Sequence, residues 1–191
     1  MGLVAMLLAG CAPARPAPSA PAPGLDTVAV YAQVVAAIRT ELPPGAPGVY
    51  LSDERFDGAH GKHSAGLLRE LASRGVVDGV FAHERRTGTF PCTDCTRIML
   101  GPVVEYERVL YADPDDLSEE VEPSRGIPVK HWVNVQVART CSPEALRSGS
   151  CTEGSVGASC RGGEFHSRRY YFTREAGGRL RLVGCTVTGV V

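Results

Sequence analysis

Side chains that hold metals or move protons crowd one short stretch of the chain: Asp53, Glu54, Asp57, His60 and His63, in Asp-Glu-Arg-Phe-Asp-Gly-Ala-His-Gly-Lys-His. Carboxylates beside two imidazoles are a donor set for zinc or another divalent ion, and the same groups serve a metal-dependent hydrolase. Asp53, Asp57, His60 and His63 therefore form the candidate metal set. Gly58 and Gly61 leave the segment a loop whose geometry the sequence does not fix, so the plainer expectation is a solvated loop ahead of a helix.

Cysteine offers the second source of chemistry, with seven residues in the chain. Setting Cys11 aside, Cys92, Cys95, Cys141, Cys151, Cys160 and Cys185 are even in number, which in an exported chain reads as a disulfide framework with 15 possible pairings. Cys92 with Cys95 and Cys151 with Cys160 are near enough to be local bridges, and Cys141 with Cys185 would then join two strands. Cys92-Thr93-Asp94-Cys95 also admits a thiol-redox reading, which requires the first cysteine at a helix N-terminus. The β-rich continuation Thr96-Arg97-Ile98-Met99-Leu100 does not supply one. A zinc knuckle requires a second Cys-x-x-Cys, and there is none.

Other chemical motifs break down at a defined position. His83-Glu84-Arg85-Arg86-Thr87 begins like a zinc-protease helix but has Thr87 where the second ligand belongs. Gly157-Ala158-Ser159-Cys160-Arg161-Gly162 has the wrong spacing for a nucleophile elbow. The acidic run Asp113 to Glu122 has Ser118 and Ser124 where a calcium loop needs Gly and Glu, so it reads as a solvated loop. Lys62 and Lys130 are the only lysines, and no Ser-x-x-Lys is present.

The N-terminus bears on compartment. Residues 2–10 are uncharged and mostly apolar, too short to cross a bilayer and suited to a signal-peptide core. The following Leu8-Ala9-Gly10-Cys11 resembles the lipobox of bacterial lipoproteins. That resemblance implies acylation at Cys11, cleavage before it, and anchoring by several acyl chains. It also implies an outer-membrane destination where the organism has one, because Ala12 is not the retention Asp. Ala12 to Gly24 carries Pro13, Pro16, Pro18, Pro21 and Pro23 and favours polyproline II, a tether reaching about 40 Å at ~3.1 Å per residue.

The elements that must position these groups begin with a helix from about Asp26 to Glu41, whose Val28, Tyr31, Val35, Ile38 and Leu42 share a face. Val49-Tyr50-Leu51 is a short strand, and a second helix runs from Ser64 to Gly75. From Cys92 the pattern is antiparallel sheet. Strands are expected at 103–111, at 129–139 with Val129, His131, Val133, Val135 and Val137 on one face, and at 168–174 and 179–190 around Glu175-Ala176-Gly177-Gly178. The fold class expected is α+β, N-terminal helices packed on an antiparallel sheet, disulfide-bearing. The stretch Arg169-Tyr170-Tyr171-Phe172 through Leu182-Val183-Gly184 resembles the closing hairpin of NTF2-like domains, which implies a cone-shaped sheet and no particular activity.

The domain organisation is then residues 1–10 as signal peptide, 11–24 as lipidated cysteine and tether, and 25–191 as one α+β domain. A net charge of −1 provides no field for nucleic acid. Arg168, Arg169, Tyr170 and Tyr171 mix cations with aromatics, but read better as a strand with solvated arginines. The expected function is an envelope lipoprotein that binds a protein or small molecule or contributes structure, with no cofactor. The alternatives are a metal-binding protein or hydrolase at Asp53/Asp57/His60/His63, and a thiol-redox protein at Cys92/Cys95.

Overall fold

Asp26 opens the first helix by accepting the Ala29 backbone N–H at 3.0 Å, satisfying one of the donors a helix start leaves bare. The helix, α1, runs Thr27–Thr40 and buries Val28, Val30, Tyr31, Val34, Val35 and Ile38. The second, α2, runs Ala65–Ser73 behind a Ser64 cap that accepts from Leu67 N–H, and it buries Leu68 and Leu71. Gly75 ends it at φ +68°. Gly75 N–H donates to Ala72 O and Val76 N–H to Leu71 O, the paired bonds of a left-handed helix stop. The computed structural model describes residues 24–42, 48–53, 64–81, 95–139, 147–149, 151–154, 157–160 and 166–190.

The strands among them are β1 (Val49–Ser52), β2 (Gly79–Phe81), β3 (Thr96–Ala112), β4 (Ile127–Arg139), β5 (Cys151–Gly154), β6 (Gly157–Cys160), β7 (His166–Arg174) and β8 (Leu180–Val190). Six form one sheet in the order β2-β1-β3-β4-β7-β8, and β5 and β6 form a separate hairpin. Both helices cover one face. There Val49, Leu51, Ile98, Leu100, Val133, Val135, Tyr170 and Phe172 meet α1 and α2 in the main core. A smaller cluster, Ala112, Leu117, Val129 and Tyr171, lies toward one end, where the 113–122 loop folds Leu117 over the sheet. Gly184 permits that contact, since a Cβ there would sit 2.6 Å from Leu117 Cδ1.

The α+β class holds, and three details of the expectation are corrected. The sheet is mixed: β1 pairs parallel with both β2 and β3, while β3, β4, β7 and β8 are antiparallel. The reason is α2, which carries the chain from β1 back to β2 as a crossover, a connection that parallel neighbours require. The third strand starts at Thr96 rather than 103, because it continues through Gly101-Pro102 at a register shift between Leu100 and Val103. The disulfide framework is corrected at Cys185, which is a free, exposed thiol. It lies on β8, the edge of the sheet, opposite Tyr170, and among the described residues no other strand borders that edge.

Candidate functional site

Register on the central strands gathers two polar groups on opposite faces of neighbouring rungs. Glu105 of β3 is paired with His131 of β4, and His131 with Phe172 of β7. Side chains alternate along a strand. His131 therefore shares the helix-side face with Val133 and Val135, and Trp132 takes the other face with Asn134.

On the helix side, His131 is 1% exposed. Its Nε2 lies 3.3 Å from Arg174 Nη2 and 3.6 Å from Glu105 Oε1. A guanidinium can only donate, so Nε2 accepts, and the ring proton belongs on Nδ1. Burial agrees: it holds His131 below the usual histidine pKa and outweighs the opposing pull of Glu105, while Arg174 and Lys130 push the same way as burial. The 3.6 Å approach to Glu105 is thus contact with a neutral ring and no ion pair. Nδ1 is buried and has no hydrogen-bond partner. Around it, Glu105 Oε1 is 3.7 Å from Lys130 Nζ and 3.8 Å from Arg174 Nη2. Lys130 also donates to the carbonyls of Tyr106 and Glu107, where β3 shifts register. One carboxylate, two cations and a neutral imidazole leave a net positive charge. Among the described residues no hydroxyl or thiol hydrogen-bonds His131, so this group has no nucleophile to activate.

On the other face, the Arg169 guanidinium stacks 4.3 Å from the centroid of Trp132 and its Nε donates to Asn134 Oδ1 at 3.2 Å. Tyr106 meets Trp132 with centroids 6.4 Å apart. Burial raises the pKa of Tyr106, helped by Tyr171 and Glu120 and opposed by Arg169. Tyr106, Arg169 and Tyr171 line a cleft closed by Leu117 and Glu120. Its volume is about 50 Å³, room for one or two waters at ~30 Å³ each and far below the ~300 Å³ at which ligand pockets begin. The wall is the acidic loop, where Glu120 pairs with Arg108 of β3 at 2.7 Å and two other carboxylates serve the loop itself. Asp113 accepts from the N–H groups of Asp115 and Asp116, and Asp116 accepts from Ser118.

A third group stands beyond the end of α1. Arg168 pairs with Glu41 next to Tyr170 and Cys185. Burial pushes Tyr170 up to about 12. It also raises Cys185 above its ordinary 9.0, a shift that Arg168 opposes and Glu41 reinforces.

Of the residues singled out by sequence, Asp53 is placed at the end of β1, 6% exposed, with Oδ1 lacking a hydrogen-bond partner. Asp57, His60 and His63 lie outside the described residues, as do Cys11, Cys92 and Cys141. Among the described residues no group of three metal-binding side chains is assembled. Cys95 is fully buried and its sulfur is bonded, to a partner whose side chain is not described. Cys151 and Cys160 are directly opposite in the β5–β6 ladder. Sequence reasoning missed Glu105 and Arg174 altogether; the available signal was a histidine standing within a run of alternating valines. No protein-family model matches the chain, and neither a curated protein nor a solved structure does.

Proposed function

We propose that the chain is a lipid-anchored protein of the bacterial envelope whose α+β domain binds a partner or contributes structure rather than catalysing a reaction. The observation that carries the reading is Leu8-Ala9-Gly10-Cys11 behind an uncharged apolar run and ahead of a proline-rich tether. Acyl chains on Cys11 hold the domain at a membrane, the outer one where there is one, and the tether gives it reach toward a protein or small-molecule partner. Two features of the folded part support a binding or structural role. Among the described residues no nucleophile hydrogen-bonds the buried histidine, and the Tyr106/Arg169/Tyr171 cleft fits a single side chain better than a substrate. No helix among the described residues is long and apolar enough to cross a membrane, so attachment by this reading is through lipid.

In an oxidising compartment, the facing Cys151 and Cys160 are placed to close a local bridge. Antiparallel partners have Cα atoms about 4.5–5.5 Å apart, within the roughly 4.4–6.8 Å that a disulfide spans. The test is radiolabelled palmitate in the native host: label in the wild-type chain, none in Cys11→Ala, and the labelled protein in the membrane fraction. An unlabelled wild-type chain in the soluble fraction ends the proposal.

A second reading, a metal-binding protein or hydrolase, is favoured by one observation. Asp53 is buried with a bare carboxylate oxygen at the point where the chain enters the segment carrying Asp57, His60 and His63. A buried, unpaired carboxylate is costly, and a cation would offset that cost. Stoichiometric metal on the purified protein, lost in His60→Ala/His63→Ala, would establish this reading; a metal-free wild-type protein after incubation with zinc and manganese would remove it.

A further inference from the structure

Of the arginines on the β7–β8 hairpin, Arg169 alone has no carboxylate partner among the described residues. Arg168 pairs with Glu41, Arg174 with Glu105, and Arg179 and Arg181 with Glu175. Arg169 is nevertheless held in place. Its guanidinium lies over the Trp132 ring, 4.3 Å from the centroid, and its Nε donates to Asn134 Oδ1 at 3.2 Å. Register explains both contacts, because Asn134 stands directly opposite Arg169 and Trp132 is one pair along on the same face. The indole fixes the plane of the guanidinium and the amide fixes its Nε edge. The terminal nitrogens keep all their protons, in a planar fork that matches the two oxygens of a carboxylate. The rotamer freedom such a side chain usually loses on gripping a ligand is already spent.

Beside this fork is the cleft of about 50 Å³, lined by the apolar side chains of Leu110, Ala112, Leu117 and Val129. Tyr171 Oη, in the same cleft, accepts from Thr186 Oγ1 at 3.3 Å, which leaves the phenol's own proton to donate. Two carboxylates border the opening. Glu120 pairs with Arg108, and Glu119 is exposed to water.

We infer that Arg169 and this cleft form a receptor for the C-terminus of a peptide, with the terminal carboxylate on the Arg169 fork and a small apolar last side chain in the cleft. The chemistry selects that occupant. A carboxylate answers the unpaired cation, whereas a phosphate would carry more negative charge toward Glu119 and Glu120. A methyl group is about the size of the water the cleft admits, and an aromatic ring exceeds it. Carboxylate and side chain stand side by side on the last residue of a peptide, as fork and cleft do here. An internal Asp or Glu has its carboxylate at the tip of its own side chain and leaves the cleft empty.

This inference rests on the binding role proposed above and names the partner's chemistry; it does not rest on the lipid anchor. Trp132 is the only tryptophan of the chain and touches Arg169, so its fluorescence reports on this site. Full-length chain carrying Cys11→Ser is titrated with acetyl-Gly-Gly-Ala, with the same peptide amidated at its C-terminus, with acetyl-Gly-Gly-Phe and with propionate. The expected result is a saturable change with the alanine acid, and binding of the amide weaker by roughly tenfold or more. The phenylalanine peptide and propionate also bind more weakly than the alanine acid. Arg169→Lys keeps the charge and loses the fork, so it should weaken the acid by a similar factor and leave the amide unchanged. Acid and amide that bind alike overturn the inference, as does an Arg169→Lys protein that binds the acid like the parent. A Trp132 signal that no peptide moves does the same, and propionate binding as tightly as the peptide would assign the site to a free small acid instead. Acid against amide is compared on the unaltered site, so that arm decides the matter even where Arg169→Lys does not fold. Palmitate labelling is independent of every arm, so this inference and the lipid-anchor reading fail separately.

Discussion

His131 is a neutral side chain held where a charged one would be expensive, and that has a sign in the pH dependence of stability. Its pKa is lowered in the folded chain, whereas in the unfolded chain it returns to about 6.5. Below that value the unfolded state binds more protons, so stability is intact above about pH 6.5 and falls as the pH drops toward the folded pKa. The charges that face the ring are Glu105 from β3, Lys130 from β4 and Arg174 from β7. Urea midpoints taken between about pH 7.5 and about pH 5 should fall with acid in the parent and fall less in His131→Asn; an unchanged slope would assign the effect to other groups. Gln33 is a second residue whose role is specific. Gln33→Ala strips partners from Leu182 N–H and Leu180 O and should cost about 1–3 kcal/mol, toward the low end because the site is part-buried. Gln33→Glu keeps the acceptor and loses the donor, so it should not restore stability. Neither role was legible in sequence. The valine alternation put His131 on the correct face, but its partners come from strands distant along the chain. Gln33 differs from its helix neighbours in no way a periodicity can read.

At the scale of elements, what was legible followed from local chemistry. Asp26 and Ser64 cap the two helices as their types suggest, and the alternation from Val129 to Val137 is the inward face of β4. What was not legible depended on the partner. A four-residue strand such as Val49–Ser52 carries no mark of parallel or antiparallel pairing; the crossover through α2 decides it. Gly101-Pro102 reads as a break, yet β3 passes through it, because the register shifts there and Gly101 lets β4 come close. A Cβ at Gly101 would stand 2.8 Å from the backbone oxygen of Asn134, and Tyr31 Oη donates to Gly101 O at 2.9 Å, tying α1 to the same point. Since the obstacle is backbone and cannot rotate away, Gly101→Ala should destabilise by about 1–3 kcal/mol in chemical denaturation. A neutral result would mean that β3 and β4 separate there at little cost.

Over the whole molecule the cysteines connect compartment and fold, and counting sulfurs tests both. The expectation of three bridges fails at Cys185, and the reason is topological: β8 ends the sheet, so among the described residues nothing folds beside it to offer a second sulfur. The remainder sort by position. Cys95 is buried and bonded, and Cys151 faces Cys160 across the hairpin. If Cys151 and Cys160 bridge each other, then Cys95 takes Cys92 or Cys141 and the other is left single. The Cys11→Ser, Cys185→Ser chain should therefore gain about 4 Da on reduction, two bridges at one hydrogen per sulfur, and alkylation before reduction should label one residue. Peptide mapping should find that label at Cys92 or Cys141. A label at Cys151 or Cys160 would break the hairpin assignment, and five labels with no mass gain would mean that the chain never met an oxidant. In that case the buried bond at Cys95 and the envelope location would both have to be given up.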